Sequence, residues 1–196
     1  MDGFERRREQ KKKDILEAAL ALFVENGIQK VSIAEIAKKA EVSQVTIYNY
    51  FNSKDNLTKL VFKLYVDQIW DEMKALFTSD LAYKDKIKEM ISFERNMGKQ
   101  SMNNAFFQDL LEDYAAGQSY VEEVYLKEGL PLLIDFVNDG KKQGHIDPTL
   151  SNEAILFYLQ MFQEYLGREN VVQMVLPFSE DLTKIFFYGI AGNKED

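Results

Sequence analysis

Ser32-Ile33-Ala34-Glu35-Ile36-Ala37-Lys38-Lys39-Ala40-Glu41-Val42-Ser43-Gln44-Val45-Thr46-Ile47-Tyr48-Asn49-Tyr50-Phe51-Asn52-Ser53-Lys54 decides the reading of this chain. Ser32 followed three residues later by Glu35 is a capping-box pattern, and it opens a short helix with Ile33, Ile36, Ala37 and Ala40 on its inner side. Ser43 is a second N-cap and opens a helix over Gln44–Tyr50; Ser53 is a third and opens a long helix toward Phe77. Two short helices joined by a turn of three or four residues and braced by a third helix make a helix-turn-helix. In that geometry the second helix enters the DNA major groove with its N-terminal residues at the base edges. Here it would anchor itself through Ile47 and Phe51 against Ile33, Ile36 and Phe23. Its outer face would offer Gln44, Thr46, Tyr48, Asn49 and Tyr50, all able to hydrogen-bond, with Lys54 just beyond.

Upstream, Ile15, Ala18, Ala19, Leu22 and Phe23 fall on one face of a helix expected over Glu9–Asn26, and Gly27 sits where a left-handed C-cap belongs. Downstream, the long helix carries the stripe Leu57, Leu60, Val61, Leu64. It then turns to a rotated stripe of Tyr65, Ile69, Met73 and Leu76. A helix that changes its buried face leaves one core for another, which puts a domain boundary near Leu64 and divides the chain into 1–64 and 65–196. Further helices are expected over Lys84–Met97, Met102–Ala115 and Ser119–Lys142, the last kinked or broken by Pro131. Gly144–Pro148 reads as a loop with a solvated His145. Ser151 and Ser179 read as caps of the last two helices, Ser151–Leu166 and Ser179–Ile190. No stretch alternates as a strand does, so the fold class is all-α.

Composition narrows the function. The chain has 196 residues, no Cys and one His, which excludes disulfides, thiol catalysis and multi-His metal sites. The glycines form no phosphate-binding cluster, and no nucleophile–base pair stands out, so neither a cofactor nor an enzymatic reaction is expected. The net charge of −8 is unevenly spread: residues 1–64 hold 12 basic and 9 acidic side chains, the remainder 12 and 23. The first part has the sign to meet phosphate and the second would repel it. No apolar run approaches the ~20 residues a bilayer requires, and the start of the chain lacks a signal core, so a cytoplasmic protein with no membrane partner is expected.

From about Arg8 to Gln68 the sequence resembles the tetracycline-repressor (TetR/AcrR) family of bacterial transcriptional regulators. The likeness is carried by the quoted segment together with Ala18-Ala19, Leu22-Phe23, Gly27 and Leu57. The resemblance implies an N-terminal three-helix DNA-binding domain and a C-terminal helical domain for ligand binding and dimerisation. It implies phosphate contacts from Ser32, Ser43, Tyr48, Tyr50 and Lys54, and base contacts from Gln44, Val45, Thr46 and Asn49. It also implies double-stranded operator DNA as a partner, a homodimer built on the last two helices, and a lipophilic, aromatic effector. The residues expected to line the effector pocket are Tyr65, Ile69, Trp70, Met73, Phe93, Met97, Phe106, Leu110, Tyr114, Tyr125, Phe157 and Phe162. Glu94, Glu112, Asp113 and Glu164 lie near these in sequence and would suit a positive charge on the ligand.

The chain departs from the family in the turn, where Glu41 stands in place of the usual Gly. A positive φ there would cost Glu about 1 kcal/mol. The function these features favour is a ligand-responsive regulator, a repressor released from its operator by effector. The alternatives are a helical carrier or enzyme with an incidental helix-turn-helix, and a DNA-binding activator or nucleoid-associated factor.

Overall fold

A computed structural model describes residues 3–101, 104–115, 120–166 and 171–189. These residues are helical throughout, with no strand among them: α1 (Gly3–Asn26), α2 (Ile33–Lys39), α3 (Gln44–Phe51), α4 (Lys54–Thr78), α5 (Tyr83–Ser101), α6 (Ala105–Ala115), α7 (Tyr120–Val124), α8 (Leu130–Lys142), α9 (Asn152–Leu166), α10 (Val171–Val175) and α11 (Ser179–Tyr188). They form two compact units, Met1–Ile69 with Asn104–Leu110, and Trp70–Asn103 with Leu111–Asp196. The division falls inside the long helix, five residues beyond Leu64, and assigns the first half of α6 to the N-terminal unit.

The first unit is built around a single core. Ile15, Ala19 and Phe23 of α1 meet Ile33, Ile36 and Ala37 of α2, Ile47 and Phe51 of α3, and Leu57, Val61 and Phe62 of α4. Phe106 and Phe107 of α6 complete it, with the Phe106 ring 5.5 Å from both Phe62 and Tyr65. The sequence places α6 here through Asn104. Its Oδ1 accepts the Phe106 N–H at 3.0 Å, while its Nδ2 donates to the Val24 carbonyl at 2.9 Å. One side chain thus caps the start of α6 and satisfies a carbonyl near the end of α1. Gly27 ends α1 with φ +81°. A Cβ there would stand 3.1 Å from that of Ala105.

The joints follow the caps. Ser32 Oγ accepts the Glu35 N–H at 3.2 Å and the Glu35 carboxylate accepts the Ser32 N–H at 2.7 Å, closing the capping box. The Ser32 hydroxyl also donates to the Glu35 carboxylate at 2.7 Å, and this bond, with that from the Ser32 N–H, holds the carboxyl below the usual carboxylate range. Ser43 and Ser53 accept from Thr46 N–H and Asn56 N–H at 3.0 and 3.1 Å. Between α2 and α3, Glu41 takes φ +54°, the left-handed region that costs an L-residue with a Cβ.

The second unit has its own core, in which Tyr83, Ile87 and Ile91 of α5 surround Phe136 of α8, with Phe187 and Tyr188 of α11 against them. Tyr83 is sandwiched between Phe136 (4.4 Å, 15°) and His145 (5.0 Å, 10°). Its hydroxyl is buried with no hydrogen-bond partner among the described residues, and burial raises its pKa. Arg95 of α5 donates twice, at 2.7 Å, to Glu180 of α11, which Lys184 also pairs. Those bonds pull the Glu180 carboxyl down to about 2.

Several elements differ from the sequence expectation. α1 begins at Gly3 rather than Glu9, because Arg, Lys, Gln and Glu are good helix formers and nothing between Gly3 and Ile15 breaks the helix. Pro131 does not end its helix. It sits in the first turn of α8, after a π-helical turn over Tyr125–Gly129 whose Leu130 N–H reaches the Tyr125 carbonyl. The π turn absorbs the hydrogen bond that proline cannot donate. Ser179 is the first residue of α11 and not its N-cap, a position that Phe178 takes at the end of a 3-10 turn, Leu176–Phe178. His145 is exposed as expected, yet stacked on Tyr83. Gly189 closes α11 as its C-cap with φ +68°. Ser119 and Ile190 lie outside the described residues.

Two glycine exchanges test these joints in opposite directions. Glu41→Gly should raise stability by about 0.5–1 kcal/mol, the left-handed penalty less the added chain entropy, read as a higher midpoint in thermal unfolding. Gly140→Ala lies inside α8, where helix propensity favours Ala by about 1 kcal/mol. Its Cβ would collide with the Tyr83 hydroxyl, held in place by the stacked rings, so a net loss of about 1–3 kcal/mol is expected. A stabilised Gly140→Ala would show that Tyr83 yields freely.

Candidate nucleic-acid interface

α3 has eight residues, too few to be stable alone, so its orientation is imposed by what it buries. Ile47 and Phe51 are 1% and 2% exposed. Helical periodicity then turns Gln44, Val45, Tyr48 and Asn49 outward; Val45 is 66% and Tyr48 47% exposed. Thr46 is half-buried and its hydroxyl lies 2.8 Å from Ser43 Oγ. Tyr50 is half-buried, with its ring 6.1 Å from that of Phe51. Ser32 and Ser43 are exposed at the N-termini of α2 and α3.

Lys54 is tied down. Its ammonium donates to the Ile28 carbonyl at 2.7 Å, joining the start of α4 to the turn after α1. An ammonium has three protons, so two donors remain for an anion. The structure therefore gathers Ser43, Gln44, Val45, Tyr48, Asn49 and Tyr50 on one short helix and its cap, with Ser32 and Lys54 at the ends of neighbouring helices of the same unit.

One set of neighbours belongs to the basic run Arg6–Lys13, which from sequence alone reads either as a solvated arm or as a contact to the DNA backbone. Phe4, Arg7, Arg8 and Lys11 of α1 share a cleft of about 640 Å³ with Asn49 and Tyr50. The Arg8 guanidinium lies 5.9 Å over the Tyr50 ring. The signal was the spacing 4, 7, 8, 11, which continues the buried stripe of α1 once the helix is known to reach Gly3.

The residues expected to line an effector pocket are divided between the two units. Tyr65, Phe106 and Leu110 belong to the first unit's core, and Ile69 is the last residue of that unit on α4. Trp70 and Tyr125 lie in the second unit, where Trp70 Nε1 donates to Glu128 Oε2 at 3.0 Å and both rings press on Gly129. Burial raises the Tyr125 pKa, and the bonds from Trp70 and Lys74 lower that of Glu128. Met73, Phe93 and Met97 are half-buried. Phe157 is 65% exposed, and Phe162 packs on Tyr158 at 5.0 Å. The side chains of Tyr114, Glu94, Glu112 and Asp113 lie outside the described residues; Glu164 is exposed. The second unit does hold an apolar cleft of about 390 Å³, lined by Leu133, Val137, Ile146, Ile155, Tyr158 and Phe186, with His145 and Asp147 as polar walls. Hydrogen bonds from Thr149 keep the Asp147 carboxyl below its ordinary range. No group of three metal-ligating side chains occurs among the described residues, and no described helix is long and apolar enough to cross a membrane.

Comparison with known proteins agrees with this geometry. Residues 15–61 match the family described as bacterial regulatory proteins, tetR family. The HTH-type transcriptional regulator PksA of Bacillus subtilis is 30% identical over 83 residues, which is 42% of this chain and 40% of that protein. The fatty acid metabolism regulator protein of the same organism is 27% identical over 138 residues, 69% of this chain and 71% of the relative. Among solved structures, the transcriptional regulator FadR from Bacillus subtilis, in complex with stearoyl-CoA, aligns with a TM-score of 0.57 at 21% identity. The alignment covers 91% of this chain and 98% of that one.

Proposed function

We propose that this chain, which belongs to the TetR family of bacterial regulatory proteins, is a transcriptional regulator that occupies operator DNA and leaves it when a small lipophilic molecule binds the second unit. The observation that carries the reading is α3 itself. Its two large apolar residues are spent on the core, and its outward face presents Gln44, Val45, Tyr48 and Asn49 to solvent on the unit with net positive charge. Such a face suits base edges at its N-terminal end and phosphates around it. Repression is the simplest consequence, since an occupied operator excludes other proteins from the same DNA.

The DNA test uses a labelled duplex from upstream of the chain's own gene and fluorescence anisotropy. Tyr48→Phe should weaken binding to every sequence by about 1–2 kcal/mol. Gln44→Ala should change sequence preference by about 1–3 kcal/mol at one position per half-site. Lys54→Ala should reduce the salt slope by about one unit, and the loss of its bond to Ile28 should lower the melting temperature too. Binding unchanged in all three variants would remove α3 as the DNA surface.

The regulator acts as a homodimer. Phe157, Tyr158, Met161 and Tyr165 form an exposed apolar stripe along α9, and Ile185 of α11 is exposed as well. A stripe of that kind calls for a partner, and a second copy of the same two helices makes a four-helix bundle about a two-fold axis. Phe157→Glu with Met161→Glu should turn a sedimenting dimer into a monomer. A parent chain that is already monomeric at micromolar concentration would defeat the proposal.

The effector binds within the second unit, for which the 390 Å³ apolar cleft has the size and lining. The stearoyl-CoA named for the solved neighbour is lipophilic in the same sense. Long α4 supplies residues to both units, so a ligand that shifts its second half also shifts its first. Coupling of about 1–3 kcal/mol should appear reciprocally. Calorimetry with a long-chain acyl-CoA in one arm and a flat aromatic cation in the other should show roughly 5–150-fold weaker binding to the operator complex for the arm that is recognised. Equal affinity with and without DNA would mean that the second unit binds without signalling.

A further inference from the structure

From the N-terminal overhang of α1, we infer that Arg7, Arg8 and Lys11 form a second, sequence-independent clamp on the DNA backbone beside the groove that α3 enters. The inference rests on the DNA-binding reading and extends it to residues that reading does not use. The core-facing stripe of α1 starts at Ile15, yet the helix continues back to Gly3, and residues 3–11 are all exposed. At 1.5 Å per residue, Arg7 stands about 12 Å beyond the last core contact. A stripe that outruns its core has no apolar work to do, and here it changes character from Ile15, Ala18 and Ala19 to Arg7, Arg8 and Lys11.

These cations are directed, since they share the 640 Å³ cleft with Asn49 and Tyr50 of α3. The Arg8 guanidinium over the Tyr50 ring fixes the overhang to α3 while leaving its N–H donors at the edge of the stack. No ion pair among the described residues involves Arg7, Arg8 or Lys11. The acidic residue in the lining, Asp14, accepts a hydrogen bond from Gln10 at 2.8 Å. Three cations without counter-charge, held beside the end of α3, fit the polyanion that lies there when α3 is in the major groove. Their contacts go to phosphates, because long side chains at the C-terminal half of α3 are on the rim of the groove and not at its floor.

The test compares the full-length parent with Arg7→Gln/Lys11→Gln and with the charge-keeping pair Arg7→Lys/Lys11→Arg. Both exchanged side chains, Arg7 and Lys11, are exposed in the parent fold, so coincident thermal melts check that folding is untouched. Affinity for the operator duplex and for a scrambled duplex is measured between 50 and 200 mM salt. The Gln pair should flatten the slope of log affinity against log salt by about 1.8 per bound chain. The affinity lost over that salt range should then shrink roughly tenfold, equally on both duplexes. The charge-keeping pair should retain the parental slope. An unchanged slope in the Gln pair, with the parent binding normally, overturns the clamp and leaves the α3 reading intact. A lost preference for operator over scrambled DNA at unchanged slope also overturns it, since the overhang would then act on base readout. A parent that binds neither duplex overturns the α3 reading and the clamp together.

Discussion

The burial of Ile47 and Phe51 is the constraint on which the first unit depends. An eight-residue helix has no stability of its own, so α3 exists because these two side chains, one turn apart, enter a core already shaped by Phe23, Ile36 and Leu57. Fully burying two large apolar side chains contributes about 1.5–3 kcal/mol each. Once they are in place, the remaining residues of α3 have no choice of direction. The face that could read DNA is the complement of the face that packs, and any shift of register along α3 would exchange the two.

That arrangement has a cost, and it appears in the backbone. The turn from α2 to α3 is short enough to require a left-handed residue, and the chain fills the position with Glu41. The turn from α3 to α4 needs another at Asn52, whose side chain tolerates that region better. Both strained joints flank α3, while the caps at Ser32, Ser43 and Ser53 satisfy the N–H groups exposed at each helix start. The core and the caps together offset the strain. The unit holds α3, the helix proposed to meet DNA, between two joints that its local backbone would not adopt unaided.

How much of this was legible in the sequence depended on whether the signal was local. The three caps, Gly27 and the apolar spacing of α1–α4 are local, so the three-helix unit could be read directly, whereas the positive φ at Glu41 was signalled only by the Gly that the resembled family usually has in that turn. Asn104 was not legible as the anchor of α6. Its bond to the Val24 carbonyl joins residues eighty positions apart, and nothing in the spacing of α6 announces that Phe106 belongs to the N-terminal core rather than to a pocket. Aromatic side chains at helical spacing look alike whether they fill a core, line a cleft or lie on a surface. Phe106, Ile155 and Phe157 occupy those three environments. Ser179 shows the converse error, a good cap residue that the preceding 3-10 turn shifts one position into the helix.

The second unit distributes its polar and apolar groups differently from the first, and this bears on what each can do. In the first unit most large apolar residues are enclosed, and the exposed ones, Phe4, Val45 and Tyr48, lie on α1 and α3. In the second, Phe157, Met161, Tyr165, Met174 and Phe178 remain in solvent, while the buried Tyr83 hydroxyl has no hydrogen-bond partner among the described residues. Exposed apolar surface of that kind marks a place for a partner or a ligand. Covering it with a second copy and filling the apolar cleft with a ligand would both lower its free energy. Acting on one unit, the two events are thermodynamically linked wherever the ligand affinity differs between packed and unpacked states. On the proposed reading the first unit meets DNA and the second the effector, and α4 supplies residues to both, so one continuous helix is shared by the two events.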